Sequence, residues 1–379
     1  MSRPTVRELH PTQAYARLRA GARLIDIREA GERAGGMAEG AVGVARTDLE
    51  AEPGRWLTGQ PGETILICAR GTRSFSCAER LIEHGYTGVS SVSGGIAFWV
   101  ECDLPMQPAE ADADFLQRYA RHLSLPEISL SGQRRLAAAT VGMVGAGGLG
   151  SPAGFYLAAA GVGRIRIADP DSVERSNLQR QILHTDAGVG QGKAHSAARA
   201  LSALNPSVRI EPLPERIDAA NVESFLDGVD VVIDGADNFA ARYLLSDACV
   251  KLGKPLVYGA VERFQGQVSV FDAGRQRGQA PCYRCLFPSP PPARFAPNCA
   301  EAGVLGVLPG VIGLLQATEA IKLILQLGEP LTGRLLHFDA KTMRFRETRL
   351  RPDPDCPVCA PGRAFPGYID YAQFCSQND

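Results

Sequence analysis

The stretch "TVGMVGAGGLGSPAGFYLAAAG", residues 140–161, decides the fold. An apolar run ends at Gly145, a glycine-rich turn comes next, and small and apolar residues then continue without a breaker. This reads as strand, tight loop and helix in that order. Gly145, Gly147 and Gly150 satisfy G-x-G-x-x-G, and Gly148 sits beside them. Glycines let the backbone approach a phosphate, while the helix N-terminus offers free N–H groups and the positive end of its dipole. Alone, the pattern implies a nucleotide, with a dinucleotide the default and a plain tight turn the alternative.

On the C-terminal side, the next strand, "RIRIADPD", ends on Asp169, an acid suited to a ribose hydroxyl. Beyond Asp169 the chain departs from a dehydrogenase. "DPDSVERSNLQRQ" supplies Asn177 and Arg180, and "GQGK" supplies Lys193. Two spaced cations suit a triphosphate better than a single pyrophosphate. "VVIDGADN" then closes a strand with Asp234 and Asp237, carboxylates expected to face the ligand crevice, where magnesium would sit. Each residue alone reads as a solvated surface charge. On consecutive strand ends around one glycine loop they favour ATP and Mg²⁺. Further strands are expected at "VRIEPL" (208), "PLVYGA" (255) and "GQVSVFD" (266), with "GRLLHFD" and "FRETRL" a late antiparallel pair. The pattern is that of a doubly wound sheet.

On the N-terminal side, "LPMQPAEADAD", 104–114, has no apolar period and reads as a linker. Before it, short strands "RLIDI" (23), "TILIC" (64) and "GVSSV" (88) alternate with helical segments such as "FSCAERLIEHG". A second, smaller α/β unit is expected there. The organisation reads as a domain over 1–105, a linker over 106–114 and a domain over 115–379.

Within the smaller unit, "CARGTRS" at 68–74 places Cys68 at the end of a buried strand and the start of a helix. Converging loop N–H groups, with Arg70 and Arg73 alongside, favour a thiolate or persulfide anion. An inert buried thiol is the alternative. Cys282-Tyr-Arg-Cys285 and Cys356-Pro-Val-Cys359 form two C-x-x-C pairs, the spacing of a closed four-thiolate Zn²⁺ site. With no coordination position open to water such zinc is structural, and its binding, worth about 10 kcal/mol, is coupled to folding.

Composition sets the remaining bounds. The 379 residues allow two or three domains, and a formal charge of −1 gives no bulk attraction to nucleic acid or membranes. Val304–Leu327 is the greasiest stretch but is interrupted by Gln316, Thr318, Glu319 and Lys322, so a core or interface helix is expected. "MSRPTVRELHPTQAY" has no signal-peptide core, which points to a reducing, cytoplasmic setting for the ten cysteines.

Nine motifs in order, "RYARH" (118), "GAGGLGS", "DPDSVERSNLQRQ", "GQGK", "DGADN", "GQVSVF", "PCYRCLFP", "CAEAGVLGVLPGVIG" and "CPVC", resemble the MoeB/ThiF family of adenylating enzymes, relatives of ubiquitin-activating enzymes. The resemblance spans about 115–362. It implies adenylation of the C-terminal glycine of a ubiquitin-like sulfur-carrier protein ending in Gly-Gly. By motif it assigns Asp169 to the ribose, Asn177, Arg180 and Lys193 to the phosphates, and Asp237 to Mg²⁺. Arg121 becomes an arginine finger reaching a partner subunit, hence a homodimer. Cys299 stands where some members carry a reactive cysteine and is expected to resolve an acyl intermediate or to take the acyl group first, with an inert loop cysteine the alternative. The four paired cysteines agree with the family's zinc.

"LIDIRE" (24), "CARGTRS" and "SGGIAFWVECDLP" (93) resemble a single-domain rhodanese over about 5–105. The six-residue loop from Cys68 to Arg73 matches sulfurtransferases, and "GGMAEGAVG" replaces the family's usual Gly-His-Ile-Pro wall. The resemblance implies a persulfide on Cys68, loaded from thiosulfate or a cysteine-desulfurase persulfide. Two rivals share parts of this pattern. A nicotinamide-dependent oxidoreductase leaves Arg180, Lys193 and Asp237 unexplained, and a transfer-RNA-modifying adenylating relative calls for a basic surface.

Overall fold

A computed structural model describes residues 6–57, 62–108, 112–290 and 303–376. They form two compact units, Met1–Gln133 and Arg134–Asp379.

The first unit is built on five strands: β1 (Arg7–Leu9), β2 (Arg23–Asp26), β3 (Val42–Gly43), β4 (Thr64–Ile67) and β5 (Val89–Val92). Their spatial order is β1-β5-β4-β2-β3, and every pairing is parallel. A parallel sheet is covered on both faces, which is why "TILIC" has no polar alternation. Leu66 and Cys68 pack into one apolar cluster with Ile25, Cys77 and Leu81, whereas Ile65 and Ile67 pack into another with Leu24, Val92 and Trp99. The strands β1 and β3 are too short to announce themselves in sequence.

The linker region is more ordered than its composition predicts. Ala38 and Met106 form an antiparallel bridge, and Asp112 caps the helix Ala113–Arg118 by accepting from the Phe115 N–H. Residues 109–111 lie outside the described set. Within the same unit, Tyr119, Leu123 and Leu130 cluster with Ala34.

The second unit carries eight strands: β6 (Thr140–Val144), β7 (Arg164–Ala168), β8 (Arg209–Leu213), β9 (Val231–Asp234), β10 (Leu256–Glu262), β11 (Gln265–Phe271), β12 (Arg334–Asp339) and β13 (Arg344–Arg349). Their order is β13-β12-β11-β10-β9-β6-β7-β8. From β10 to β8 the pairings are parallel; β11, β12 and β13 extend the sheet antiparallel. Chain order reverses beside β6, so the crevice past its C-terminal end is the topological switch point where such sheets bind ligands. The helix Leu308–Leu325 is long and apolar enough to cross a membrane by length and composition. It lies instead against β10, β11 and the Gly150–Ala159 helix, with Gln316 buried and donating to the carbonyls of Asp234 and Val257.

Candidate functional site

At the end of β6 the chain turns through Gly145 into the helix Gly150–Ala159. A side chain at Gly150 would place its Cβ 2.0 Å from the Gly145 carbonyl oxygen, so only glycine closes this loop. Asp169, past the end of β7, is 5% exposed. One of its oxygens accepts from the Ala146 N–H at 2.8 Å and the other from the Asp171 N–H at 2.9 Å. Burial pushes the Asp169 carboxyl up, against those two hydrogen bonds and the nearby Lys193. Each oxygen keeps a lone pair for a hydroxyl donor.

The loop is also braced by His184, a residue that no sequence motif marks. Its Nε2 lies 3.0 Å from the Ala146 carbonyl and its Nδ1 3.0 Å from the Ser196 hydroxyl. A carbonyl only accepts, so Nε2 carries the proton and Nδ1 takes the serine hydrogen. Burial lowers the His184 imidazole's affinity for a second proton, in keeping with this neutral tautomer.

Gly145, Gly147, Gly148, Asp169, Asn177, Arg180, Lys193 and Asp237 all line one cavity of about 890 Å³. That is the size of a small-molecule site. Gly150 lies just behind it, in the first turn of the helix. Arg180 donates to the Asn177 side-chain oxygen at 2.9 Å, and Lys193 pairs with Asp171 at 3.0 Å. Both cations are thus held in place before any ligand arrives. The two carboxylates of "DGADN" separate. Asp237 is exposed on the cavity wall with Asn238, whereas Asp234 is fully buried beneath it. One Asp234 oxygen accepts from the Ala236 N–H and the other has no hydrogen-bond partner among the described residues; burial raises its carboxyl. Asp234 therefore belongs to the floor of the site. Gln181 also lines the cavity, as do Ile369–Ala372 near the C-terminus, which no motif signalled.

Cys282, Cys285, Cys356 and Cys359 converge, with all four sulfurs within 4.8 Å of one another. Neighbouring sulfurs stand 3.4 to 3.8 Å apart. A tetrahedral Zn²⁺ with bonds of about 2.3 Å sets its sulfurs about 3.8 Å apart, so the cluster fits that ion. The Asp353 N–H also points at the Cys285 sulfur, 3.3 Å away. The hydrogen bond from Cys282 holds the Cys285 thiol below its usual range.

In the first unit, Cys68 is 1% exposed. Its sulfur accepts from the N–H groups of Gly71 at 3.2 Å and Ser74 at 3.3 Å, and from the Ser74 hydroxyl at 3.3 Å. The helix Thr72–Glu83 starts at this loop. Gly95 backs it so closely that a Cβ there would lie 2.2 Å from the Cys68 carbonyl oxygen, which explains the glycine pair in "SGGIAF". Arg73 is committed elsewhere, forming a two-pronged pair with Glu32 at 2.6 and 2.8 Å. Arg70 is exposed and forms no ion pair among the described residues. Burial pushes the Cys77 thiol up to about 12, in line with a packing role. Arg121 is exposed on the short helix Ala120–Leu123 of the first unit. Cys299 lies outside the described residues.

A glycine loop, two fixed cations and a ribose-type acid around a switch-point cavity define a nucleotide-binding domain of the doubly wound class, here carrying a four-thiol knuckle. The chain belongs to the ThiF family, whose model matches residues 119–358, and a rhodanese-like domain matches residues 10–102. It is 51% identical over 261 residues to the sulfur carrier protein adenylyltransferase of Thermus thermophilus, covering 69% of this chain and 96% of that protein. It is 50% identical to the SAMP-activating enzyme E1 of Haloferax volcanii, covering 70% and 97%. Mycobacterium tuberculosis MoeZ, named a probable adenylyltransferase/sulfurtransferase, is 45% identical over 71% of this chain and 68% of its own length. Crystal structures of E. coli MccB share the fold, with a TM-score of 0.55 at 23% identity over 67% of this chain and 77% of that one.

Proposed function

We propose that the chain activates a ubiquitin-like sulfur carrier with ATP and then sulfurates it from Cys68. The observation that carries this reading is the coexistence on one chain of a cation-lined nucleotide cavity and a sulfur held by two loop N–H groups and a hydroxyl. The names of its full-length relatives, sulfur carrier protein adenylyltransferase and SAMP-activating enzyme, support a carrier as substrate.

In the first step the carrier's terminal carboxylate attacks the α-phosphorus of ATP. An acyl–phosphate bond forms and pyrophosphate leaves. Two anions must meet, so Arg180, Lys193 and Asn177 neutralise and align the phosphates in positions fixed beforehand, while Asp169 takes the ribose. Asp237 offers Mg²⁺ a hard oxygen donor, and the ion would supply further charge neutralisation. Arg121, acting across a homodimer, is assigned to the same task. In the second step a persulfide anion on Cys68 attacks the acyl carbon and AMP departs, leaving an acyl disulfide. A thiol, assigned to Cys299, then attacks the Cys68 sulfur, releasing the thiocarboxylate and forming a protein disulfide. The sulfur itself comes from thiosulfate or a cysteine-desulfurase persulfide. The four-cysteine knuckle holds structural Zn²⁺, and the chain works in the cytoplasm. The domains are assigned as 1–105 and 115–379, with 106–114 between them.

Exchange of labelled pyrophosphate into ATP, stimulated by a carrier ending in Gly-Gly, tests the first half. Exchange with no carrier-dependent increase for any such carrier removes the carrier from the account.

A further inference from the structure

The nucleotide cavity is lined by groups of two chemical kinds. Gly145, Gly147, Gly148, Arg180 and Lys193 are suited to phosphates. Ile217, Ala240, Ala241 and Leu244 add apolar surface, together with Ile369–Ala372, although Arg216, Asp218 and Asp370 also line the cavity. Ile217, Leu244 and Tyr371 belong to one apolar cluster, against which Ala240 and Ala241 pack. Asp169 stands at the end of β7 and Ile217 comes after β8, the next strand outward. In a doubly wound sheet the base lies beyond the ribose acid on this side. An adenine placed there would meet the C-terminal segment.

That segment is tied down by buried polar contacts. Tyr371, 6% exposed, donates its hydroxyl to Asp247 at 2.8 Å. Asp247 in turn accepts two hydrogen bonds at 2.8 Å from Arg284, which lies between Cys282 and Cys285. Both side chains of that ion pair are under 10% exposed, at 7% and 3%. Phe374 adds a second tether, its ring 4.9 Å from the Arg284 guanidinium and 5.2 Å from the Tyr243 ring. A buried, doubly bonded pair of this kind is strongly unfavourable to break, because one charge is then left unpaired. The tail is therefore fixed to the short helix Tyr283–Leu286, which with its cap Cys282 supplies two of the knuckle's thiols.

We infer that residues 369–372 are the base-end wall of the nucleotide site, held there by Tyr371 and Phe374 as positioning residues acting through Asp247 and Arg284. The inference rests on the nucleotide reading of this cavity. It assigns the segment to the base and ribose, and leaves phosphate affinity to the glycine loop and the cations. Ile369, 42% exposed beside the cavity, supplies apolar surface that a base would cover.

The test compares binding of ATP, AMP and tripolyphosphate by calorimetry to the full chain, to Ile369→Ala, to Tyr371→Phe, and to a chain ending at Gly362, which keeps all four knuckle cysteines. Truncation should weaken ATP and AMP by about tenfold, and each point variant by about threefold. Tripolyphosphate should bind all four proteins alike. Because Ile369 is partly exposed, its variant keeps the test open should the truncated chain fold poorly. Unchanged ATP and AMP affinity in Ile369→Ala and Tyr371→Phe, or an equal loss for all three ligands, overturns the inference. A full chain that binds neither ATP nor AMP instead overturns the nucleotide reading.

Discussion

Ser74 has one hydroxyl proton and two acceptors for it, the Cys68 sulfur at 3.3 Å and the Gly71 carbonyl at 3.0 Å, while Ser91 donates to its oxygen at 2.9 Å. A neutral thiol is a weak acceptor, and an anionic sulfur competes far better. As the sulfur becomes charged the proton turns towards it, so Ser74 stabilises the reactive form selectively. Ser74→Ala should slow thiosulfate-to-cyanide sulfur transfer by about tenfold, the worth of a hydrogen bond to a charged group, in a protein that still folds. An unchanged rate would remove Ser74 from the chemistry. Glu32 acts on the same loop through Arg73. Burial works to raise its carboxyl, but the hydrogen bonds from Arg73 and the Glu29 N–H and the positive charges of Arg73 and Arg28 prevail and hold it below the usual range. A lowered acid contributes stability that is complete above its ordinary range and is lost as pH falls through the lowered value. Melting temperatures should therefore show Glu32→Gln less stable than the parent at neutral pH and converging with it on acidification. The pair is about a third exposed, so the effect is modest. Cys68, Asp169 and Lys193 were legible because short motifs mark them. His184 was not, since its role depends on Ala146, 38 residues away in sequence.

At the scale of elements, the strand–glycine loop–helix at 140–161 was readable because its local requirement is severe. The Gly150–Gly145 contact is backbone against backbone and has no side chain that can move aside. Gly150→Val should cost about 3 kcal/mol of stability and abolish ATP binding, measured by thermal unfolding and calorimetry. A stable variant with full affinity would mean that the loop opens more easily than this packing allows. The late strands β12 and β13 were also legible, since each runs for six residues. By contrast, β1 and β3, three and two residues long, are defined by their neighbours. Composition says least at 104–114. Proline, alanine and acids suggested a plain linker, yet Met106 bridges to Ala38 and Asp112 starts a helix. The C-terminal wall of the cavity carried no motif because only tertiary contacts bring Tyr371 to Asp247, 124 residues earlier.

For the whole molecule, two chemistries share one chain: a cavity fitted to activating a carboxylate and a loop fitted to holding sulfur. Neither suffices for a thiocarboxylate, because an acyl-adenylate needs a sulfur nucleophile and a persulfide needs an activated acyl group. The direct test replaces one sulfur atom. Cys68→Ser, given MgATP, thiosulfate and a carrier ending in Gly-Gly, should keep carrier-dependent pyrophosphate exchange at the parent rate. Mass spectrometry should then find the carrier's terminal oxygen replaced by sulfur with the parent protein and not with the variant. Thiocarboxylate formed at the parent rate by Cys68→Ser would contradict the account.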